Sequence, residues 1–261
     1  MLFFLIPDGE EPEGLGADFI MHHITDHVLI KIQLLGLDLS ITKHVLMMWI
    51  VSGLLIVTLT ALFRKPKLVP SGLANFFEFL VVYLDEEVMR PYLGSHSRQY
   101  APYLLTAFFF ILLSNLLGLV PYGAAATGDI SVTAALALLT FGMVQIAGIR
   151  NHGLVGYFKG LIPPGLPVFI LPIMVPVEII SLFTKHFALA IRLFANMVAG
   201  HVVIFALLLI IFSFKNWFVG FATLGGILFV SLLEILIALI QAYIFTILSS
   251  VFIGMAVHQD H

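Results

Sequence analysis

The chain has no cysteine and few charges: only 10% of its 261 residues are Asp, Glu, Lys or Arg. The missing cysteines exclude a disulfide scaffold, a thiolate zinc site and a cysteine nucleophile. A formal net charge of −3 offers no basic surface for nucleic acid. No GxxxxGK sequence is present, so the chain has no phosphate-cradling loop for a nucleotide. Tandem repeats and low-complexity tracts are absent too. The apolar residues before Pro7 lack a basic flank and read poorly as a signal peptide.

What the chain does have is apolar surface. The 61% apolar content lies far above that of a soluble domain. It is gathered into uncharged runs long enough to cross the hydrocarbon core, which takes roughly 20 residues. The reading is therefore a single integral membrane domain over residues 1–261, all-α and polytopic.

Residues 1–40 form a polar outer segment, acidic through Asp8, Glu10, Glu11, Glu13, Asp18 and Asp26. His44 to Phe63 is the first span, closed by Arg64, Lys65 and Lys67. In Ser71 to Tyr92 the apolar part holds Glu78 and runs straight into Asp85, Glu86 and Glu87. That part is too short to cross, which predicts an interfacial or re-entrant helix. Pro102 to Tyr122 and Ile130 to Ile149 are two more spans, and Asn151 to Gly165 reads as a Gly/Pro-rich loop.

The last hundred residues contain two over-long runs, Leu166 to Phe212 and Val219 to Val257, separated by Ser213 to Phe218. As straight helices they would be about 70 and 58 Å long, against a hydrocarbon core of about 30 Å. Either each run folds into two spans, or the two form one long tilted hairpin. The matched lengths around one polar turn favour the hairpin. The expected architecture is then about five transmembrane helices plus one interfacial helix.

Orientation follows from the basic residues. Arg64, Lys65, Lys67, Arg90, Arg98, Arg150 and Lys159 fall on one side, and Lys31, Lys43 and Lys215 on the other. The richer side is expected to be the cytoplasm, which leaves the amino terminus outside and the carboxyl terminus inside.

Ionisable residues within the long runs are expensive and mark function by default. Glu178, Lys185 and Arg192 are spaced by seven and share one helix face, with Asn196 one turn beyond Arg192. His201 lies nine residues past Arg192, on the opposite face. Across the turn, Glu234 and Gln241 are seven apart. Counted from the middle of the turn, Arg192 and Gln241 are equally distant at 24.5 residues, while His201 and Glu234 are 15.5 and 17.5 away. The hairpin is therefore expected to hold a deep polar level near Arg192 and Gln241 and a second, more external level near His201 and Glu234. Glu178 is a third position on the inner side.

Three stretches resemble motifs of subunit a of the F-type ATP synthases. Leu189-Ala-Ile-Arg-Leu-Phe-Ala-Asn-Met-Val-Ala-Gly-His201 is similar to the family's arginine motif. Gln241-Ala-Tyr-Ile-Phe245 is similar to its partner on the last helix, and Ser114-Asn-Leu-Leu-Gly-Leu-Val-Pro121 to a third segment. The resemblance covers roughly residue 40 to the end. It implies that Arg192 faces the rotating ring of subunit c, flanked by Asn196 and Gln241. It also implies that His201 and Glu234 line an outer half-channel, the acid and histidine being swapped relative to some members, and that Glu178 belongs to the inner half-channel. The implied partners are the c-ring, the b subunits of the peripheral stalk, the rest of the ATP synthase and membrane lipids, with no nucleic acid. The implied setting is a bacterial inner (plasma) membrane. No cofactor, metal or bond chemistry in this chain is implied; the role is proton transport coupled to rotation.

The physics of the residues agrees with that implication. Arginine stays protonated, so Arg192 is a fixed positive charge and a poor relay. Beside a ring carboxylate it favours the ionised form, whereas a carboxylate facing lipid has to be neutral. Histidine and glutamate can change charge, and each alters the other's titration. Blander readings compete at several positions. Lys185 reads best as a snorkelling cation, and Asp85 to Glu87 as a solvated helix end. His22, His23, Asp26 and His27 resemble metal ligands superficially, but no second cluster supports a site. Two other function classes remain as alternatives. A secondary transporter would show symmetric halves, which this chain lacks. A membrane enzyme built on His22 or His201 would carry stoichiometric metal.

Overall fold

In a computed structural model, the described residues are 28–31, 33, 34, 37, 38, 40–64, 71–120, 123–160, 169–214 and 217–258. The acidic amino-terminal residues, His22, His23, Asp26, His27, Lys65, Lys67, Pro121, Pro163, Pro164, Lys215, Asp260 and His261 lie outside them.

The described part of the amino-terminal segment contains two small antiparallel pairs. Strand β1 (Val28–Ile30) pairs with β4 (Ile41–Thr42), and β2 (Gln33–Leu34) with β3 (Leu37–Asp38). The described secondary-structure elements after Thr42 are all helical. Helix α1 (Lys43–Phe63) starts where the Thr42 hydroxyl accepts from the Val45 amide, an N-cap. It is loosely attached. His44, Val51 and Leu55 are its buried residues, while Trp49, Ile56 and Val57 point outward as a lipid-facing surface would.

The segment read as interfacial is helix α2 (Leu73–Tyr83), about 16 Å long and too short to cross. It runs into a π-helical turn, Leu84–Met89, then the single turn α3 (Arg90–Leu93) and the 3₁₀ turn Gly94–His96. Asp85 holds this stretch to the next helix, accepting from Arg90 Nε at 2.8 Å and from the Ser97 hydroxyl. Gly94 has φ 53°, a left-handed conformation that glycine adopts without strain, and it breaks the chain direction there.

Helix α4 (Ser97–Gly118) leads through the 3₁₀ turn Ala126–Gly128 to α5 (Ile130–Gly160). The loop expected from Asn151 is therefore helical as far as Gly160, with a kink at Gly153, where φ is 71°. Packing explains the difference. Tyr157 is buried against Gly148, leaving no space for even a methyl group there, so the turn beyond the kink is held against the helix it left.

The two over-long runs are single continuous helices. Helix α6 (Leu171–Phe214) has 44 residues and α7 (Trp217–Val257) has 41, or about 66 and 62 Å. They pack on each other as a hairpin, α6 running to Phe214 and α7 starting at Trp217, both within the expected turn Ser213 to Phe218. Among the described residues, five helical segments are long and apolar enough to cross a membrane: Lys43–Phe63, Leu73–Gly118, Ile130–Tyr157, Leu171–Ile211 and Trp217–Val257. The core lies where α4, α5, α6 and α7 meet and includes Leu104, Ile111, Leu193, Phe245 and Ile253. The end of α7 is anchored on α3 and α5. Gly254 lies on the Tyr92 backbone, His258 Nε2 donates to the Leu93 carbonyl at 3.3 Å, and His152 Nε2 donates to the Val257 carbonyl at 2.9 Å.

Candidate functional site

Helix α6 has two unlike sides. His186, Leu189, Ala190, Leu193 and Met197 are buried, at spacings that form one stripe toward the core. Arg192 lies off that stripe and is exposed, with exposed Ala188, Ala195 and Ala199 one turn before it and one and two turns after it. Its guanidinium has no hydrogen-bond or ion-pair partner among the described residues. The positive charge thus stands out from a surface of methyl groups, where another helix can approach closely. Glu178 and Lys185, both half-buried, are the next members of the same seven-residue series toward the start of α6.

Behind Arg192 the hairpin is joined by a polar pair. Asn196 Nδ2 donates to Gln241 Oε1 at 2.7 Å. Gln241 is fully buried, and its own amide nitrogen is unsatisfied. The register differs from the count along the chain, because Gln241 meets Asn196 rather than Arg192. Arg192, one turn away, stays exposed and takes no part in the pair.

The second polar level lies closer to the turn. Glu234 is buried, and neither carboxylate oxygen has a hydrogen-bond partner among the described residues. Its side chain lies against Gly200, where a methyl group would come within 2.8 Å of Cδ and closer still to Oε1. Gly200 therefore supplies the space that the carboxylate occupies, next to His201 in the chain. His201 is half-buried and lies near enough to His44 of α1 for the charge of one to act on the other.

His44 ties this level to the turn between α4 and α5. Its Nδ1 lies 3.0 Å from the Ala125 carbonyl, which only accepts, so the proton is on Nδ1. In the same turn Thr127 donates to Asn115 Oδ1, and both residues are fully buried. Ser114 is buried beside Asn115 in the chain, with an unsatisfied hydroxyl. Gly118 permits the close contact, since a methyl group there would overlap Ala125. Ser114 to Gly118 is thus the part of α4 on which the turn closes. The 3₁₀ turn Ala126–Gly128 also touches α1, α5 and α6, so buried polar groups from several elements converge near His201.

Of the residues singled out from sequence, the fold brings Asn196 to Gln241 and Glu234 to the Gly200–His201 corner. It does not bring Glu178 to either level. His44, Gly200, Thr127 and His186 were missed. A glycine inside an apolar helix signals close approach of a neighbour, so Gly200 was legible in principle. His44 was visible only as the first residue of a span.

The comparisons agree with the motifs. The profile of the ATP synthase A chain family matches residues 45–254. ATP synthase subunit a of Chlorobium phaeobacteroides is 46% identical, covering 97% of this chain and 78% of that protein. ATP synthase subunit a of Chloroherpeton thalassium is also 46% identical, covering 96% and 79%. ATP synthase subunit a 2 of Chlorobium luteolum is 47% identical, covering 96% and 78%. With these matches over nearly its whole length and five membrane-compatible helices, the chain belongs to the ATP synthase subunit a family, as an integral multi-pass component of an ATP synthase complex.

Proposed function

We propose that the chain carries protons through two half-channels that meet at a rotating ring of subunit c, with Arg192 as the charge that separates them. The observation that carries this is the outward, unpaired Arg192 on a methyl-lined face of a 44-residue apolar helix. A bare guanidinium in hydrocarbon is costly, so that face calls for a carboxylate partner from outside the chain. Each ring carboxylate reaching Arg192 gives up its proton, because the fixed cation favours the anion. It has to be protonated again before it turns back into lipid.

The outer half-channel uses the polar level of His201, Glu234 and the turn around Thr127, and the inner one leaves past Glu178. The Asn196–Gln241 pair fixes the hairpin behind the arginine. Since helices of about 66 and 62 Å are twice the thickness of the hydrocarbon core, the hairpin lies tilted along the ring. Arg64, Arg90, Arg98 and Arg150 favour a cytoplasmic inner side, with the carboxyl terminus there and the amino terminus outside. The b subunits of the peripheral stalk hold the chain static in a bacterial inner membrane. The subunit itself makes and breaks no covalent bonds other than those to protons.

The test is ATP-driven proton pumping in vesicles carrying the assembled complex, with Arg192 and with Arg192→Ala. Loss of coupled pumping with normal assembly is the expected result. Undiminished pumping would remove Arg192 as the separating charge.

A further inference from the structure

His186 has no part in the pathway just described, yet it is a titratable side chain buried deep in α6. It is 6% exposed and lies six residues, or about 9 Å, from Arg192 toward the inner end. Its Nδ1 lies 2.8 Å from the Leu182 carbonyl and donates to it, so the neutral ring presents a lone pair at Nε2. That nitrogen is buried and has no partner among the described residues. The ring is held by aromatic neighbours, edge-on to Phe141 of α5 at 5.2 Å and tilted against Phe252 of α7 at 5.1 Å. Phe141 in turn stacks on Phe183 at 5.1 Å.

For space-filling alone, phenylalanine or leucine would suit this slot better. An unsatisfied nitrogen at membrane depth carries a desolvation cost that an apolar side chain avoids. The charged group acting on His186 is Lys185, its chain neighbour. From α5 and α7, Phe141 and Phe252 lie against the ring, and among the described residues no titratable group of either helix acts on it. Aromatic rings nearby can also stabilise an imidazolium.

We propose that His186 is a proton-carrying residue of the inner half-channel, with water as the partner of Nε2. The proton released by the ring carboxylic acid near Arg192 passes through water, and a bond forms between it and Nε2. That bond then breaks to the next water, and the imidazole returns to its neutral form. Glu178 lies eight residues, or about 12 Å, further toward the inner end, so water has to link the two. This inference rests on the half-channel reading and adds a group to it.

The experiment uses vesicles of the assembled complex carrying His186→Phe, which fills the aromatic slot, or His186→Gln, which stays polar but does not titrate. Passive proton conduction is measured after the ATP-hydrolysing sector is stripped off, across about pH 5 to 8, where histidine ordinarily changes charge. In both variants conduction should fall about tenfold, equivalent to about 1.4 kcal/mol of barrier, and one titrating step should vanish from the pH profile. Wild-type conduction with a wild-type profile in either variant overturns the proposal. So does reduced conduction with an unaltered profile, which would make His186 a packing residue. If His186→Phe does not assemble, His186→Gln carries the measurement. Arg192→Ala is assayed in parallel for ATP-driven pumping, with the ATP-hydrolysing sector in place. If it pumps normally, the half-channel reading itself fails. If it is blocked while the His186 variants are normal, only this inference fails.

Discussion

One added methyl group tests the geometry of the polar level nearer the hairpin turn. In Gly200→Ala, the new Cβ would lie 2.8 Å from Glu234 Cδ and 3.0 Å from Cγ, and closer to Oε1. Carbon atoms are comfortable at about 3.5–4.0 Å, so the carboxylate has to leave its place. Glu234 is buried, so the movement is made against packed neighbours. Over-packing, the off-rotamer strain included, costs about 1–3 kcal/mol. Alanine recovers roughly 1 kcal/mol of helix propensity over glycine. The net change in stability is therefore small, within about 2 kcal/mol. Insertion and assembly should survive while the proton path is displaced. ATP-driven pumping, followed with a pH-sensitive dye in vesicles, is expected to fall about tenfold, or about 1.4 kcal/mol of barrier. Glu234→Asp withdraws the carboxylate by one methylene. The double variant should then pump better than the product of the two single effects, a favourable coupling in a double-mutant cycle. Unchanged pumping in Gly200→Ala, or a double variant no better than that product, would refute the link between Gly200 and the position of Glu234.

Two further predictions concern the frame around the pathway. Asn196→Leu strips Gln241 of its partner and leaves a fully buried amide unsatisfied, at a cost of about 1–3 kcal/mol. The purified complex should show a lower unfolding temperature, and adding Gln241→Leu should restore much of it; no recovery would argue against a buried pair. In Gly254→Ala the new methyl group meets the Tyr92 carbonyl oxygen at 2.5 Å and carbon at 3.1 Å, backbone atoms that cannot rotate away. The end of α7 should come off its anchor, with less subunit recovered in membranes and faster proteolysis near the carboxyl terminus. Normal recovery and protection would show that this contact does not hold the helix.

Much of this protein was legible in its sequence because hydrocarbon imposes simple rules. Apolar runs of sufficient length must be helices, since no water is present to satisfy the backbone. The lengths of the last two runs pointed to one hairpin. Charge in such a run is rare enough that Glu178, Arg192, His201 and Glu234 stood out at once. The seven-residue spacing placed Arg192 and Glu178 on one side without any coordinates. Short elements were less legible. The kink at Gly153 and the turn that follows it depend on Tyr157 finding Gly148, a contact the local composition does not announce.

Which side chains meet was decided by the tertiary structure alone. Counting from the turn paired Gln241 with Arg192, but the packing of α6 on α7 pairs it with Asn196 and leaves the arginine exposed. A register counted along the chain fixes only height, whereas the rotation of each helix follows from which stripe is buried, here the one through Leu189, Leu193 and Met197. His44 meets Ala125 and approaches His201 because the turn after α4 folds in among the helices. His186 showed its open nitrogen only once Phe141 and Phe252 closed on it from two other helices. Sequence determined that the chain spans a membrane and carries charge within it. Long-range packing determined which of those polar groups are paired, which are enclosed, and which one is left facing outward.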